Sequence, residues 1–179
     1  MSAPEVLDAG LRQPDAFTCG AQSVVVAGTL CGRTVPTDAP GFARLVLDTH
    51  RRLTSRRSAS GRSQLPWPRR LGTPPWAVAA EMRQLTGLRY HALAVAPRTR
   101  DRRWSAALTA VRAGHPVPLY VGNRWLPRHV VLAMADQGDD LVVHDPATGH
   151  LRTLTGSSWR SASLRLSGWD VGWFVLAPA

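Results

Sequence analysis

The chain contains no lysine, and this absence weakens what its charge would otherwise imply. All 22 basic residues are arginine, against 12 acidic residues, which gives a formal net charge of +10 and a pI near 11.5. A strongly basic chain suggests a nucleic-acid partner. Complete replacement of lysine by arginine also indicates a coding bias of the genome, so we give a nucleic-acid partner little weight.

Cysteine is scarce as well, with two residues in 179. Cys31 follows Cys19 by twelve positions, about 18 Å along a continuous helix, so the two thiols cannot form a disulfide without breaking that helix. The chain is therefore not predicted to be a disulfide scaffold. We expect Cys31 to be a small buried hydrophobic residue at a helix end.

Targeting and membrane-spanning segments are missing too. The sequence begins Met-Ser-Ala-Pro-Glu, without a basic region followed by an apolar run, and it has no uninterrupted apolar stretch long enough to cross a bilayer. We therefore expect a cytoplasmic location and no membrane partner. Export by a route that needs no signal peptide stays open.

Metal and cofactor motifs are also absent from the sequence. The two cysteines are not paired at ligand spacing, and no two histidines are either, which argues against zinc. The segment Gly28–Gly32 lacks the glycine pattern of a phosphate or dinucleotide loop. No cofactor and no metal are expected.

The most informative stretch that is present surrounds Cys19. Pro14 and the four residues after it disfavour helix, whereas residues 19–30 form an uncharged, largely apolar block without proline. Cys19 should lie in the first turn of that helix, where unpaired N–H groups and the helix dipole favour a thiolate. Gly20 leaves room for a substrate backbone, and the Gln13 amide is suited to stabilise an oxyanion.

A histidine and an aspartate complete a possible catalytic set. His129 begins an apolar strand over residues 129–135, and Asp145 ends a second strand over 141–145. The turn residues between them predict an antiparallel pair, which places both side chains at one edge of a sheet. Asp136, the rival orienting residue, should lie at the far end of the strand, and His144 should point to the opposite face.

These residues resemble a known family. Gln13, then Cys19-Gly20, then His129-Val-Val and Asp145-Pro146, together with residues 113–121, are similar to the papain-like cysteine peptidases. The resemblance is in particular to the bacteriocin-processing type that cleaves double-glycine leaders, and to its free-standing bacterial relatives. It runs from about Gln13 to Trp173.

The resemblance implies a role for each matching residue. Cys19 would be the nucleophile, His129 the general base and acid, Asp145 the residue that orients His129, and Gln13 the oxyanion donor. The sequence departs from the family where Gly20 and an alanine follow Cys19 in place of the aromatic residue common in plant and lysosomal relatives. It also carries no transporter or ATPase segment, so a double-glycine leader substrate is not implied.

The fold prediction follows from the order of the elements. Helices dominate the first half and strands the second, which predicts a single α+β domain over residues 1–179, with a helical lobe packed on an antiparallel sheet. Asp38 and Thr73 are the predicted N-caps of two further helices. The site should lie in the cleft between lobe and sheet, near Trp125 and beside the proline-rich segment 65–76.

Three functions are compatible with these residues. The leading one is a cysteine-dependent hydrolase that acts on a peptide or amide bond of a peptide or protein substrate. The same residues would serve deamidation or transglutamination of a glutamine side chain. The third is a non-catalytic binding module that uses the seven arginines and no acid of residues 51–70. The sequence does not define the oligomeric state.

Overall fold

A computed structural model of the chain describes residues 3–36, 38–58 and 60–179. Over these residues the chain forms six α-helices and six β-strands. The helices are α1 (Ala3–Asp8), α2 (Cys19–Leu30), α3 (Ala39–Leu53), α4 (Pro75–Thr86), α5 (Arg100–Arg112) and α6 (Gly156–Ser161). The strands are β1 (Tyr90–Ala94), β2 (Val117–Gly122), β3 (Pro127–Gln137), β4 (Asp140–Asp145), β5 (His150–Leu154) and β6 (Val171–Pro178).

The strands form one six-stranded sheet in the order β1-β6-β2-β3-β4-β5, with all neighbouring strands antiparallel. The α+β class is therefore confirmed. Strand β2 lies inside the sheet and is buried along its whole length, as its apolar sequence predicts.

Helices cover both faces of this sheet, and each face has its own apolar core. The first core joins α1 to α4 with sheet residues such as Val130 and Leu132. The second joins α5 and α6 with residues such as Val131 and Val143. Because successive residues of a strand point to opposite faces, the inner strands β2, β3 and β6 contribute to both cores.

The expectation of one helical lobe was incomplete. Helix α5 lies on the second face, where Trp104 is fully buried and its ring centroid is 5.4 Å from that of Trp159. The physical reason is that the inner strands are apolar on both sides, so one helical layer cannot shield them from water.

The predicted helix ends agree with the structure to within a residue or two. The Asp38 carboxylate accepts a hydrogen bond from Gly41 N at 2.7 Å and caps α3 as expected. Helix α4 begins one residue later than predicted, with Pro74 rather than Thr73 as N-cap. Gly87 ends it in the left-handed conformation at φ 74°.

Two helices and one thiol differ from the sequence prediction. Helices α1 and α6 were not predicted, since each has only six residues and a weak pattern. Cys31 is exposed rather than buried, because α2 ends at the protein surface, where the neighbouring Leu30 is exposed too. Both cysteines are free.

The arginine-rich connection between α3 and α4 is held by several hydrogen bonds. Arg57 and Ser63 form an isolated antiparallel bridge, and the Gln64 side-chain amide donates to the carbonyls of Arg52, Leu53 and Ser55. Most of its arginines are exposed, as predicted. No helix within the described residues is both long and apolar enough to cross a membrane.

Candidate functional site

Cys19 is the first residue of α2 and is preceded by an irregular loop. The loop is shaped by Asp15, whose carboxylate accepts a hydrogen bond from Phe17 N at 2.8 Å. One turn into the helix, Gln22 Nε2 donates to Leu11 O at 2.7 Å and ties the start of the loop to α2. Among the described residues the Thr18 N-cap side chain makes no capping bond, so the first N–H groups of α2 stay available near the thiol.

Gly20 brings the start of α2 into close contact with two neighbouring segments. A Cβ at this position would lie 1.8 Å from Thr73 Oγ1 and 3.4 Å from Val130 Cγ2. Thr73 precedes α4, and Val130 follows His129 in β3. The absence of a side chain at Gly20 thus lets α2 pack closely against Thr73, so this glycine makes room for the protein itself and not for a substrate backbone as predicted.

His129 and Asp145 are brought together by the β3–β4 hairpin. A tight turn at Gly138, with φ 70°, pairs Gln137 with Asp140, and a β-bulge between Ala133 and Ala135 then shifts the register so that Leu132 pairs with His144. The two residues therefore lie at the open end of the hairpin, and His129 Nε2 is 2.7 Å from Asp145 Oδ1. The sequence predicted this pairing correctly.

Both oxygens of the Asp145 carboxylate accept hydrogen bonds. Oδ1 accepts from Ala147 N at 3.0 Å as well as from His129, and Oδ2 accepts from the Ser167 hydroxyl. Burial alone would raise the pKa of Asp145, but the bonds from His129, Ser167 and Ala147 lower it to about 2. The side chain is therefore a carboxylate at neutral pH, and it serves both its own turn and the imidazole.

The electrostatics of His129 connect it with Cys19. Burial lowers the pKa of His129, but hydrogen-bonding and charge interactions with the Asp145 and Cys19 side chains outweigh this and raise it to about 9. The same neighbourhood includes Tyr120, whose pKa is raised mainly by burial and in small part by Cys19. The interactions with Asp145 and Cys19 therefore favour the protonated, imidazolium form of His129.

Gln13 lies beside this group but uses part of its amide locally. Its backbone N donates to Pro146 O at 2.8 Å, which fastens the loop to the turn after Asp145. Its side-chain Nε2 donates to Asp15 O at 2.6 Å. An amide nitrogen carries two hydrogens, so one remains for another acceptor.

Asp136 and His144 were predicted to take no part in the site, and Trp125 was predicted to lie near it. Asp136 forms an ion pair with Arg112 at 3.1 Å near the far end of β3. His144 is fully buried, and among the described residues neither of its ring nitrogens has a hydrogen-bond partner. Trp125 lies in the β2–β3 loop, where its backbone N–H donates to Asn123 Oδ1, and the residue is 68% exposed.

Cys19 and His129 are both almost completely buried. Cys19 is 4% exposed and His129 is 5% exposed, so a substrate would have only a narrow approach to the sulfur. Two cavities of about 510 and 440 Å³ lie elsewhere, one between α2, α3 and α4 and one beside α5 and the C-terminal end of β6. The described residues that line them do not include Cys19, His129 or Asp145.

Two site residues escaped the sequence argument. Thr73, predicted as a helix cap, packs on Gly20, and its carbonyl accepts from Tyr120 OH at 2.9 Å. Ser167, which bonds to Asp145, carried only the weak signal of a Ser-Gly turn. Neither contact has a local pattern that would predict it.

No protein-family model matches the chain, and no curated protein gives a significant sequence match. Within the described residues, no three side chains of histidine, cysteine, aspartate or glutamate cluster in a way that could hold a metal ion.

Proposed function

We propose that the protein is a cysteine-dependent hydrolase of the papain-like kind that cleaves a peptide or amide bond. The observation that carries the proposal is the His129–Asp145 hydrogen bond, at the end of the sheet where Gly20 in the first turn of α2 packs on Val130. Asp145 bonds to His129 at 2.7 Å, and interactions with Asp145 and Cys19 together raise the pKa of His129. A structural histidine would need one such partner, whereas a base needs both an orienting group and a nucleophile.

In the proposed mechanism each nitrogen of the imidazole has its own role. Asp145 occupies Nε2, so Nδ1 is left to take the proton of the Cys19 thiol. The resulting thiolate attacks the carbonyl carbon, and the oxygen that becomes negative is stabilised by the Cys19 N–H and by the free hydrogen of the Gln13 amide. Nδ1–H then gives its proton to the leaving amine, and water, deprotonated by His129, releases the acyl group from sulfur.

The surroundings of the thiol favour a peptide or protein substrate. Apolar side chains are exposed on all three segments that frame the site: Phe17 before Cys19, Leu71 before Thr73, and Trp125 and Leu126 before His129. Exposed apolar groups next to a reactive pair are typical of surfaces that bind another chain. A small polar amide would gain little from them.

Thiol alkylation tests the proposal, and the exposed Cys31 must first be removed as a competitor. In a Cys31→Ser background at pH 6, we expect iodoacetamide to modify Cys19 and His129→Ala to slow that reaction at least tenfold, because the thiolate would lose its cationic partner. Cys19→Ala should abolish labelling. His115→Ala is the matched control and should react like the parent.

Equal alkylation rates with and without His129 would contradict the proposal. If the pair is confirmed, product analysis on a peptide library identifies the bond that is cleaved. New amino termini indicate a peptidase, whereas ammonia release without chain cleavage indicates action on glutamine side chains. Steeply salt-dependent nucleic-acid binding by the Cys19→Ala variant would instead favour the arginine-rich binding module.

A further inference from the structure

The loop that joins α6 to β6 brings one hydroxyl to the catalytic set. Ser167 lies 22 positions beyond Asp145 in sequence, and its Oγ donates to Asp145 Oδ2, the oxygen that His129 does not use. The two hydrogen bonds hold the carboxylate from both sides. Its rotation about χ2 would break one or the other.

This loop holds Ser167 in a conformation that serine rarely adopts. Leu166 and Trp169 exchange both backbone hydrogen bonds, at 3.0 and 2.9 Å, around the two central residues Ser167 and Gly168. Their φ angles are 50° and 85°. A two-residue turn with both φ values positive strongly prefers asparagine, aspartate or glycine at its first position, and another residue costs about 1 kcal/mol.

The surrounding structure is strong enough to impose this conformation. Leu164 and Leu166 are buried in the second core, and Leu164 N donates to Asp170 O at 3.1 Å. Asp170 N in turn donates to Gly122 O at 3.1 Å, which fixes the end of the loop to β2. Ala162 and Arg165 of the same loop also have positive φ values, 53° and 51°, so what distinguishes Ser167 is the bond of its side chain to Asp145 and not its backbone conformation.

We propose that Ser167 is a positioning residue that fixes the Asp145 carboxylate so that it orients His129 toward Cys19, an inference that rests on the proposed function. The alternative is that Ser167 only shapes the turn. The two interpretations make different predictions for Ser167→Gly, because glycine suits the turn better than serine but lacks the hydroxyl.

The experiment compares alkylation of Cys19 in four variants, all in the Cys31→Ser background. Ser167→Ala and Ser167→Gly should each slow the reaction about tenfold, as expected for loss of a hydrogen bond to a buried carboxylate. Ser167→Thr keeps the hydroxyl but adds a β-branch that the positive φ disfavours, so it should react faster than Ser167→Ala without reaching the parent rate. Ser163→Ala, an exposed serine of the same loop that bonds only to Ser161, should have no effect.

The result that would overturn the proposal is a Ser167→Gly variant that reacts as fast as the parent. Such a variant would have kept the turn and lost the hydroxyl without consequence. Thermal unfolding of the glycine and alanine variants separates a folding defect from a loss of reactivity, since glycine relieves the positive φ whereas alanine bears it as serine does. If His129→Ala leaves the parent rate unchanged, the proposed function itself fails. If His129→Ala slows the reaction and the Ser167 variants do not, only the role of Ser167 is wrong.

Discussion

Replacing Gly20 with alanine tests whether the close packing of α2 against Thr73 is needed for both stability and reactivity. The added Cβ would lie 1.8 Å from Thr73 Oγ1 and 3.1 Å from Thr73 Cβ. Ordinary contacts begin near 3.5 Å, so Thr73 or the helix must move. Thr73 is buried, and its carbonyl is held by the Tyr120 hydroxyl at 2.9 Å, so the backbone cannot withdraw without losing that bond.

The expected magnitude combines two opposing terms. Overpacking a tight site costs about 1–3 kcal/mol, while alanine is favoured over glycine inside a helix by about 1 kcal/mol. We therefore expect Gly20→Ala to lower the free energy of unfolding by up to about 2 kcal/mol, the overpacking cost less the helix gain. Alkylation of Cys19 should slow as well, because a shift of α2 away from Thr73 moves the Cys19 sulfur relative to His129.

Gly28→Ala is the matched control in the same helix. Its added Cβ would meet Arg33 Cδ at 3.5 Å and Leu85 Cδ2 at 3.6 Å, which are ordinary contacts. This variant should be as stable as the parent or more stable, by up to about 1 kcal/mol. Urea unfolding followed by tryptophan fluorescence measures both variants. If Gly20→Ala proves as stable and as reactive as Gly28→Ala, the argument for the close approach is refuted.

Two further predictions concern pH. Asp145→Asn should lower the pKa of His129 from about 9. The raised pKa of His129 stabilises the fold below about pH 6.5, and this contribution is lost as pH rises through about 9. The free energy of urea unfolding of the variant should therefore depend less on pH between these two values than that of the parent. An unchanged slope would contradict the role of Asp145. Burial lowers the pKa of His144 to about 4, so the unfolded chain takes up a proton first and stability should fall by up to about 3 kcal/mol between pH 6.5 and 4. His144→Leu should be at least as stable at pH 7 and should lose less stability on acidification, which unfolding curves at both pH values would test.

Several parts of the site could be predicted because their causes are local in sequence. Pro14 and the turn residues after it cannot continue a helix, while the apolar block that starts at Cys19 favours one. The pairing of His129 with Asp145 was predictable for a similar reason, since a hairpin with a tight turn has few registers. At Cys19 the signals lie within a few neighbouring positions, and in the hairpin only the β3–β4 turn and parts of the two strands separate His129 from Asp145.

Other features depended on contacts between distant segments. The exposure of Cys31 depends on where α2 ends relative to the surface, which its own sequence does not state. The Gln13 amide was predicted as an oxyanion donor, yet one of its hydrogens bonds to Asp15 O, a result of how the loop closes on Pro146. The second helical layer, formed by α5 and α6, depends on both faces of the sheet being apolar.

By itself the sequence determined the helix that begins at Cys19, the hairpin that joins His129 to Asp145, and the α+β class, because turn residues and apolar periodicity act over a few positions. Only the tertiary structure decided that Gly20 lets that helix pack against Thr73, and that the Ser167 hydroxyl bonds to the second oxygen of Asp145. Those contacts join residues that are 53 and 22 positions apart in the chain. They form only when the layers pack, since packing determines which surfaces meet and a local pattern does not.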